Sequence, residues 1–471
     1  MILLKWIGIN RETSSDTISC QEESLMTGFI CSDGSDKLFG FENFGNTCYA
    51  NSVLQTLYYS KPFRDGVMRY PRPISVLPSF PNTESLSNGS VTHLIESSFD
   101  LSLSFASSCL TSHKSSYSSH AYMNGAGLYS TSLDTSFSKK NNLMDNTMSL
   151  NNVETYKNKR LMGKFNVNID SSHCSAYGMR ESLFTCVRDI FASIIQSHVK
   201  DGVCSPTKLI EVLRRENKFF RGNLHQDAHE FLNYLLNVIL ESIEEHDKLN
   251  THANGNISIN HESNCSASAK WLHSIFEGVL TSEIQCFTCE SITSRNESFL
   301  DLSIDVNKNT SVTSCLNSFF SPEILAGKNK FYCDFCGDLQ EAEKRIKIKR
   351  LPKILALHLK RFRCIEENGN YRFSKLFHTV VYPYYLRLSN TTDDANDPDR
   401  LYELYAVVVH LGSGPYHGHY VSVIKTELGW TLFDDERVLP VDKIFVRRFF
   451  GDLPGEATAY VLFYQTVDIT L

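Results

Sequence analysis

The stretch Asn43-Phe44-Gly45-Asn46-Thr47-Cys48-Tyr49-Ala50-Asn51-Ser52-Val53-Leu54-Gln55 joins a turn, the start of a helix and a thiol. Gly45 supplies the turn, and Asn46 or Thr47 is placed to cap the first backbone amides. Helical spacing of apolar residues follows, at Val53, Leu54, Leu57 and Tyr58. Cys48 therefore lies in the first turn, where the helix dipole and a nearby imidazole favour a thiolate. This makes Cys48 a candidate nucleophile, with a buried structural cysteine as the alternative.

A base for this thiol is offered near the other end of the chain, by His417 or His419 in a glycine-rich stretch. Catalytic Cys and His are seldom neighbours in sequence, and the spacing alone does not choose between the two histidines. Asp434 and Asp435 follow a short apolar run, and one of them can hold the second imidazole nitrogen. Adjacent carboxylates on an extended backbone point to opposite faces, so only one is expected to orient the base. A Cys/His/Asp acyltransferase fits this set.

Two Cys-x-x-Cys pairs form a candidate metal site, at Cys286, Cys289, Cys333 and Cys336. Four sulfurs suit tetrahedral Zn²⁺, and a strand-like segment from Phe299 to Val306 can contribute to a ribbon that joins the pairs. Redox-active pairs are the alternative, but neither pair precedes a helix in a βαβ pattern. We expect a structural Zn²⁺.

Composition limits the function classes. The 471 residues carry a formal net charge of -7 and are 42% hydrophobic, which argues against a general nucleic-acid binder. The basic stretch from Lys344 to Arg350 alternates with apolar residues and favours a strand with a solvated face. No apolar run approaches the roughly 20 residues of a membrane span. Fourteen cysteines without a signal peptide favour a reducing compartment, the cytoplasm and/or the nucleus.

The chain divides by composition into helical, polar and strand-like parts. Residues 1–37 are expected to be a disordered tail, 71–178 a Ser/Asn-rich disordered insertion and 245–269 a polar loop. Helical periodicity dominates up to residue 244, and strand alternation dominates after 270. We expect an α+β catalytic domain over 38–468, with a cleft between a helical lobe and a sheet.

Four stretches occur in an order that resembles the ubiquitin-specific protease family: the Cys48 stretch, Gln226–Leu232, Leu357–Phe362 and Gly418-His419-Tyr420. The resemblance implies a papain-like cysteine protease fold with a helical thumb, a β palm and zinc-binding β fingers at 280–345. It also implies a thiol-dependent deubiquitinase that hydrolyses the bond after the C-terminal glycine of ubiquitin in ubiquitinated proteins. Runs such as Gln226–Asn237 further resemble the ubiquitin carboxyl-terminal hydrolase 12/46 subgroup, which implies a WD-repeat activator protein.

The resemblance also assigns roles within the site. It makes Cys48 the nucleophile, His419 the base and Asp434 its orienting carboxylate, with Asp435 as a supporting neighbour. Asn43 is expected to stabilise the oxyanion, with a turn-forming Asn as its alternative.

Substrate contacts are expected from Asp227 and Glu230, whose alternative role is to interact with the dipole of their own helix. His225 departs from the family, which commonly has Gln there. Two rival functions remain: a hydrolase of another ubiquitin-like modifier, and a non-catalytic ubiquitin-binding scaffold.

Overall fold

The computed structural model describes residues 33–71, 166–167, 178–222, 224–253, 269–367, 370–415, 417–451 and 457–467. These residues fall within one compact unit, and most of its helices precede most of its strands. Among the described helices, none combines the length and the hydrophobicity needed to span a membrane. The α+β class is confirmed.

The helical lobe contains six of the described helices, and a seventh lies between strands of the second half. In chain order they are α1 (Cys48–Tyr59), α2 (Lys61–Arg69), α3 (Leu183–Gln196), α4 (Thr207–Glu216), α5 (Ala228–Ala253), α6 (Lys270–Phe276) and α7 (Val312–Phe319). The predicted apolar face of α5 is fully buried, with at most 1% exposure at Phe231, Leu232, Leu235, Leu236, Ile239 and Ile243. Burial of such a face against α1 and α3 holds the lobe together.

Helix α5 corrects the predicted loop at 245–269, because it continues to Ala253. The segment after residue 244 contains no Gly or Pro before Gly255, and Glu244 forms an i,i+4 ion pair with Lys248 at 3.7 Å. Polar composition alone therefore did not end the helix.

Short strands accompany the helices and form the second half of the chain. They are β1 (Leu38–Phe41), β2 (Asn166–Val167), β3 (Asp201–Cys204), β4 (Gly278–Cys286), β5 (Ile292–Phe299), β6 (Leu302–Asp305), β7 (Thr310–Ser311), β8 (Glu323–Leu325), β9 (Phe331–Cys333), β10 (Asp338–Gln340) and β11 (Ala342–Arg350). The remainder are β12 (Ile354–Lys360), β13 (Phe362–Glu367), β14 (Asn370–Lys375), β15 (Val380–Val381), β16 (Tyr385–Arg387), β17 (Thr391–Asn396), β18 (Leu401–Gly414), β19 (His417–Thr426), β20 (Gly429–Asp434), β21 (Arg437–Pro440) and β22 (Thr458–Thr466).

The largest sheet of the described residues has the order β21-β20-β19-β18-β22-β12-β6, with β16 beside β18. Its central strands are buried on both faces, since Ala406 and Val408 join the core shared with the helices while Val407 and Val409 join a second core. This explains the nearly continuous apolar runs of β18 and β22. The sheet is the predicted palm, and α1 packs against one face of it.

The fingers are a second sheet with the order β17-β11-β4-β5, and β8 pairs with β11. The segment predicted to form their ribbon, from Phe299 to Val306, divides differently: β5 ends at Phe299, and β6 joins the palm by pairing with β12. Sequence alternation identified strands here but not their sheet, because β5 is almost entirely exposed and carries little apolar pattern.

The predicted tail at 1–37 extends too far, because Asp33 and Lys37 both contact the helical lobe. The Asp33 carboxylate accepts from Lys61 Nζ at 2.7 Å and from the buried Arg64 at 3.2 Å, and Lys37 Nζ donates to the Ser197 carbonyl. A buried guanidinium requires acceptors, and this polar segment supplies them. Residues 1–32 lie outside the described part of the chain.

Most of the predicted insertion at 71–178 lies outside the described residues. Within it, β2 is a correction, because Asn166 and Val167 pair in parallel with Val203 and Cys204 of β3. Apolar residues alternate there at Phe165, Val167 and Ile169. This short alternation was the available signal for a strand.

Candidate active site and metal centre

Cys48 opens helix α1 and is 2% exposed. The preceding turn uses positive φ angles at Gly45 (75°) and Asn46 (59°), as expected for a tight change of direction. Thr47 is the N-cap residue, but its hydroxyl does not cap the helix, which corrects that half of the prediction. It accepts from the Phe44 amide at 3.0 Å and so closes the turn in front of α1.

His419 lies near the start of β19, beside the end of β20, and meets Asp434 there. Its Nε2 is 2.6 Å from Asp434 Oδ1, which leaves Nδ1 for the thiol of Cys48. Burial opposes a charge on the imidazole, but hydrogen bonds with Asp434 and Cys48 raise the pKa of His419 to about 10. The three predicted residues are therefore brought together from distant parts of the chain.

Asp435 also reaches this site, which the extended-backbone argument did not predict. Strand β20 ends at Asp434, and Asp435 has a φ of 51°, so the two carboxylates are not on opposite faces. Asp435 Oδ2 is 3.8 Å from His419 Nε2. Burial raises the pKa of Asp435, against the opposing effect of hydrogen bonds from Asn51 and Asn43.

The Asp435 carboxylate fixes the loop in front of Cys48. Asn43 Nδ2 donates to its Oδ2 at 2.7 Å, and Asn51 Nδ2 donates to its Oδ1 at 2.8 Å. Asn43 Oδ1 accepts from the Thr47 backbone amide at 3.2 Å, so the side-chain oxygen of Asn43 is bonded to the turn and one side-chain N–H is bonded to Asp435. Asn43 thus has the turn-forming contacts of its alternative role and retains a second N–H.

Sequence reasoning missed Asn51 and Gln55, two amides that are each 1% exposed on helix α1. Gln55 Nε2 donates to the Asp435 carbonyl at 3.2 Å, and Asn51 binds the carboxylate of the same residue. The available signal was their i,i+4 spacing, since two buried amides on one helix face require hydrogen-bond partners.

His417 lies apart from this constellation. It is exposed, and its Nε2 is 3.3 Å from the Ser413 hydroxyl within the same loop. Its geometry is that of a loop histidine.

Asp227 and Glu230 lie at the start of α5, a position that fits their alternative role of interacting with the dipole of their own helix. Asp227 Oδ1 accepts from the amides of His229 at 2.7 Å and Glu230 at 3.2 Å, which caps the helix. Its Oδ2 accepts from the hydroxyl of Tyr460, a residue that is 2% exposed. Glu230 is exposed in the first turn. Asp227 is thus part of the packing between helix and sheet.

His225 precedes this helix and is 7% exposed, with no hydrogen-bond partner for either ring nitrogen among the described residues. Its ring stacks on Tyr420 with a centroid distance of 5.0 Å and an interplanar angle of 2°. Burial lowers the pKa of His225 to about 4. The family's hydrogen-bonding amide is thus replaced here by a neutral ring that packs beside the residue after His419.

The four cysteines meet at the end of the fingers, with all four sulfurs within 4.8 Å of one another. Both knuckles use the same backbone: Glu290 N donates to Cys286 O at 3.0 Å, Gly337 N donates to Cys333 O at 2.9 Å, and both donors have positive φ. Cys289 Sγ and Cys333 Sγ are 3.5 Å apart, too far for a disulfide bond of about 2.05 Å. Tetrahedral Zn–S bonds of about 2.3 Å place sulfurs about 3.8 Å apart, so this donor set fits zinc.

The pKa shifts differ among the thiols: hydrogen bonds from Ser291 lower the pKa of Cys289, whereas the hydrogen bond with Cys289 raises that of Cys336. Backbone N–H groups, that of Cys336 first, and the Ser291 hydroxyl lower the pKa of Cys333 to about 6. N–H groups directed at sulfur are typical of metal knuckles and favour the thiolate. The four cysteines therefore form a group that could hold a metal ion.

Comparison with known proteins gives a consistent family. Residues 39–464 match the family described as ubiquitin carboxyl-terminal hydrolase. The chain is 49% identical over 443 residues to the probable ubiquitin carboxyl-terminal hydrolase creB of Aspergillus niger, which covers 92% of this chain and 55% of that protein. It is 44% identical over 471 residues to the probable ubiquitin carboxyl-terminal hydrolase 9 of Schizosaccharomyces pombe, covering 99% of this chain and 73% of that protein.

A solved structure shares the fold. The SAGA Ubp8/Sgf11/Sus1/Sgf73 DUB module bound to ubiquitin aldehyde is similar with a TM-score of 0.56 and 21% identity, covering 95% of this chain and 72% of that one. The papain-like architecture with thumb, palm and fingers is thereby confirmed. The chain spans little more than half the length of the creB proteins it matches. On the family match and these identities, the chain belongs to the ubiquitin carboxyl-terminal hydrolases of the ubiquitin-specific protease type.

Proposed function

We propose that this protein is a thiol-dependent deubiquitinase that hydrolyses the bond after the C-terminal glycine of ubiquitin in ubiquitin-protein conjugates. The observation that carries the proposal is the arrangement of Cys48, His419 and Asp434, with the imidazole Nε2 held at 2.6 Å by the carboxylate. Family membership supports the same reaction.

In the proposed reaction each group takes one step. Asp434 holds Nε2–H of His419, so Nδ1 accepts the proton of Cys48, and the sulfur attacks the carbonyl carbon. Collapse of the tetrahedral intermediate breaks the C–N bond, and His419 returns its proton to the leaving amine. His419 then takes a proton from water as its oxygen attacks the thioester carbon, the C–S bond breaks, and the carboxylate product leaves the Cys48 thiolate beside the protonated His419.

Asn43 and the N-terminal amides of α1 are proposed to bind the oxyanion. The two N–H bonds of the Asn43 amide support this, because one donates to Asp435 and orients the other. Such a donor typically changes the rate by about 10²–10³. Asp435 is proposed to support the reaction by fixing Asn43 and Asn51.

For substrate binding we propose Asp227 and Glu230, which lie beside the palm residue Tyr460. The exposed carboxylate of Glu230 is available to a basic tail, and Asp227 orients the helix that presents it. Replacement of Glu230 by Gln should raise KM for ubiquitin substrates and leave kcat unchanged.

The experiment that tests the function is turnover of C-terminal fluorogenic amides of ubiquitin and of other ubiquitin-like modifiers, with Cys48→Ala as control. We expect ubiquitin amide to be cleaved and the variant to be inactive. Preferred cleavage of another modifier would support the first rival. Binding of ubiquitin without turnover of any amide would support a scaffold.

For the metal we propose structural Zn²⁺ held by Cys286, Cys289, Cys333 and Cys336. The convergence of four thiols supports this choice, because soft sulfur ligands in tetrahedral geometry select zinc. Such thiols, and Cys48, must stay reduced, so we also propose that the protein works in the cytoplasm and/or the nucleus.

A WD-repeat activator is proposed as a partner on the sequence resemblance to the 12/46 subgroup alone, because the family match and the named relatives support the family and not that subgroup. The fingers expose apolar side chains suited to a protein partner, among them Phe335 at 82% exposure. Turnover of ubiquitin amide should rise when the partner is added, and Phe335→Ser should weaken the effect. Leu428→Ser, at an exposed turn of the palm, is the matched control. Full activity alone, unaltered by the partner, would contradict this proposal.

A further inference from the structure

Lys375 is a buried lysine at the end of the β13–β14 hairpin, with 3% exposure. Its Nζ donates to His410 Nδ1 at 2.9 Å, to the His410 carbonyl at 3.0 Å and to the Gly412 carbonyl at 2.9 Å. An ammonium group has three N–H donors, so each donor has an acceptor. Burial of a lysine is costly without such partners, which indicates that this geometry is strongly determined.

The three acceptors belong to the segment that lies directly beside the catalytic histidine. His410 pairs with Tyr420 and Leu411 pairs with His419 across β18 and β19, and the register shifts immediately afterwards. Gly412 has a φ of 121°. Gly412 and Ser413 therefore form a bulge opposite Gly418, between the pairs Leu411–His419 and Gly414–His417, and the segment from His410 to Gly412 leads into this bulge.

Gly418 shows how closely β19 lies on this bulge. A Cβ at Gly418 would come within 2.3 Å of the Leu411 carbonyl and 2.5 Å of His410 Nε2. Such close packing transmits a displacement of the bulge directly to the residue preceding His419.

Arg361 gives an internal reference for a buried cation with a purely architectural role. It is 0% exposed and donates to carbonyls of Ala459, Leu376, His378 and Phe450. None of these acceptors lies next to His419 in sequence or across the strand pair. Lys375 differs because its acceptors lie on His410 and Gly412, the two residues on either side of Leu411. Leu411 pairs with His419 across the two strands.

We propose that Lys375 is a positioning residue that fixes His419 against Cys48 by holding the segment from His410 to Gly412, which leads into the bulge. The catalytic part of this inference rests on the proposed function. The geometric part, which concerns only the distance between the His419 imidazole and the Cys48 thiol, is independent of the proposed function.

The experiment compares wild type with Lys375→Met, measuring alkylation of Cys48 by iodoacetamide across pH through the mass of its peptide, together with kcat and KM for ubiquitin amide. Lys425→Met is the matched control, because Lys425 is an exposed lysine of β19 paired with Glu403. The titratable groups that face His419 are Cys48, Asp434, Asp435, His225 and His410, and these variants leave all five in place.

We expect Lys375→Met to slow alkylation at neutral pH and to move its profile upward, because a displaced imidazole no longer accepts the thiol proton. We expect kcat to fall by about 100-fold, the typical effect of a displacement near 1 Å, with KM little changed. Lys375→Gln retains N–H donors, so its alkylation rate and kcat should lie between those of wild type and Lys375→Met. If Lys375→Met does not fold, Lys375→Gln tests the positioning role.

An unchanged alkylation profile in a folded variant would overturn the proposal, even with a lower melting temperature. A shifted profile in a protein that cleaves no ubiquitin substrate would leave the positioning role standing and the proposed function wrong.

Discussion

The catalytic cleft and the end of the fingers both assemble distant residues, but different forces hold them. In the cleft, the single residue Asp435 accepts four hydrogen bonds, from the side chains of Asn43, Asn51 and Gln55 and from the Phe41 amide. The adjoining palm also has a hydrophobic core on each face. In the fingers, β5 is almost entirely exposed, and the four cysteines provide the main convergence of side chains. The cleft should survive loss of any one side chain as a structure, whereas the fingers should depend on their metal.

Removal of the nucleophile should give the largest effect on activity and the smallest on structure. Cys48→Ala should abolish turnover of ubiquitin amide, with a loss on the order of 10⁶-fold, because no other group forms the acyl-enzyme. Ubiquitin affinity, measured by calorimetry, and zinc content should stay as in wild type. Substantial residual turnover would contradict the assignment of Cys48.

The two histidines of the glycine-rich loop sharpen the comparison within the cleft. His419→Ala should lose nearly as much activity as Cys48→Ala, because the imidazole bonded to Asp434 acts with the thiol as a unit. His417→Ala should be mild, since that side chain is exposed and contacts Ser413. Steady-state kinetics of both variants decides the base, and the reverse ranking would overturn the choice of His419.

Asp434 and Asp435 have different proposed roles: Asp434 orients His419, and Asp435 supports the loop in front of Cys48. Asp434→Asn should lower kcat by up to about 10⁴-fold, because an amide at 2.6 Å from Nε2 does not enforce the required tautomer. Asp435→Asn should lower it less, since the amide oxygen can still accept from Asn43 or Asn51. Equal losses, or a larger loss for Asp435→Asn, would make Asp435 the orienting residue.

Loss of a zinc ligand should disorder the fingers and spare the cleft. Cys286→Ser should reduce bound zinc and raise protease sensitivity between Thr281 and Lys344, because metal binding contributes about 10–16 kcal/mol in small zinc peptides. Ubiquitin binding should weaken, while Cys48 remains alkylatable. Cys364→Ser, at an exposed cysteine of another hairpin, is the matched control. Absence of zinc from freshly prepared protein with protected fingers would contradict a metal site.

The sequence predicted most where one local pattern determines one structure. The face of α5 and the two Cys-x-x-Cys knuckles depend on residues within a few positions, and the structure has both. The position of Asp435 was not predictable from alternation, because it follows from a φ of 51° just after β20. The ribbon strand β5 carries too few apolar residues to reveal its sheet. Sequence reasoning was thus weakest where long-range pairing decides the backbone.

The electrostatics of the cleft yield a last, smaller effect, on the pH dependence of stability. His419 has an ordinary pKa of 6.5, and Asp434 and Cys48 raise it to about 10 in the folded protein, in spite of burial. The folded state thus binds this proton more tightly than the unfolded state. Its contribution to stability is fully present below about pH 6.5 and is lost as pH rises through about 10.

Wild type should therefore lose its stability advantage over His419→Gln between pH 6.5 and 10, measured as the difference between their melting temperatures. His417→Gln is the matched control, because that ring is exposed and contacts the Ser413 hydroxyl. A difference that stays constant across this window would mean that the imidazole is not held as a cation. In that case the hydrogen bond between Asp434 and His419 would act on a neutral ring.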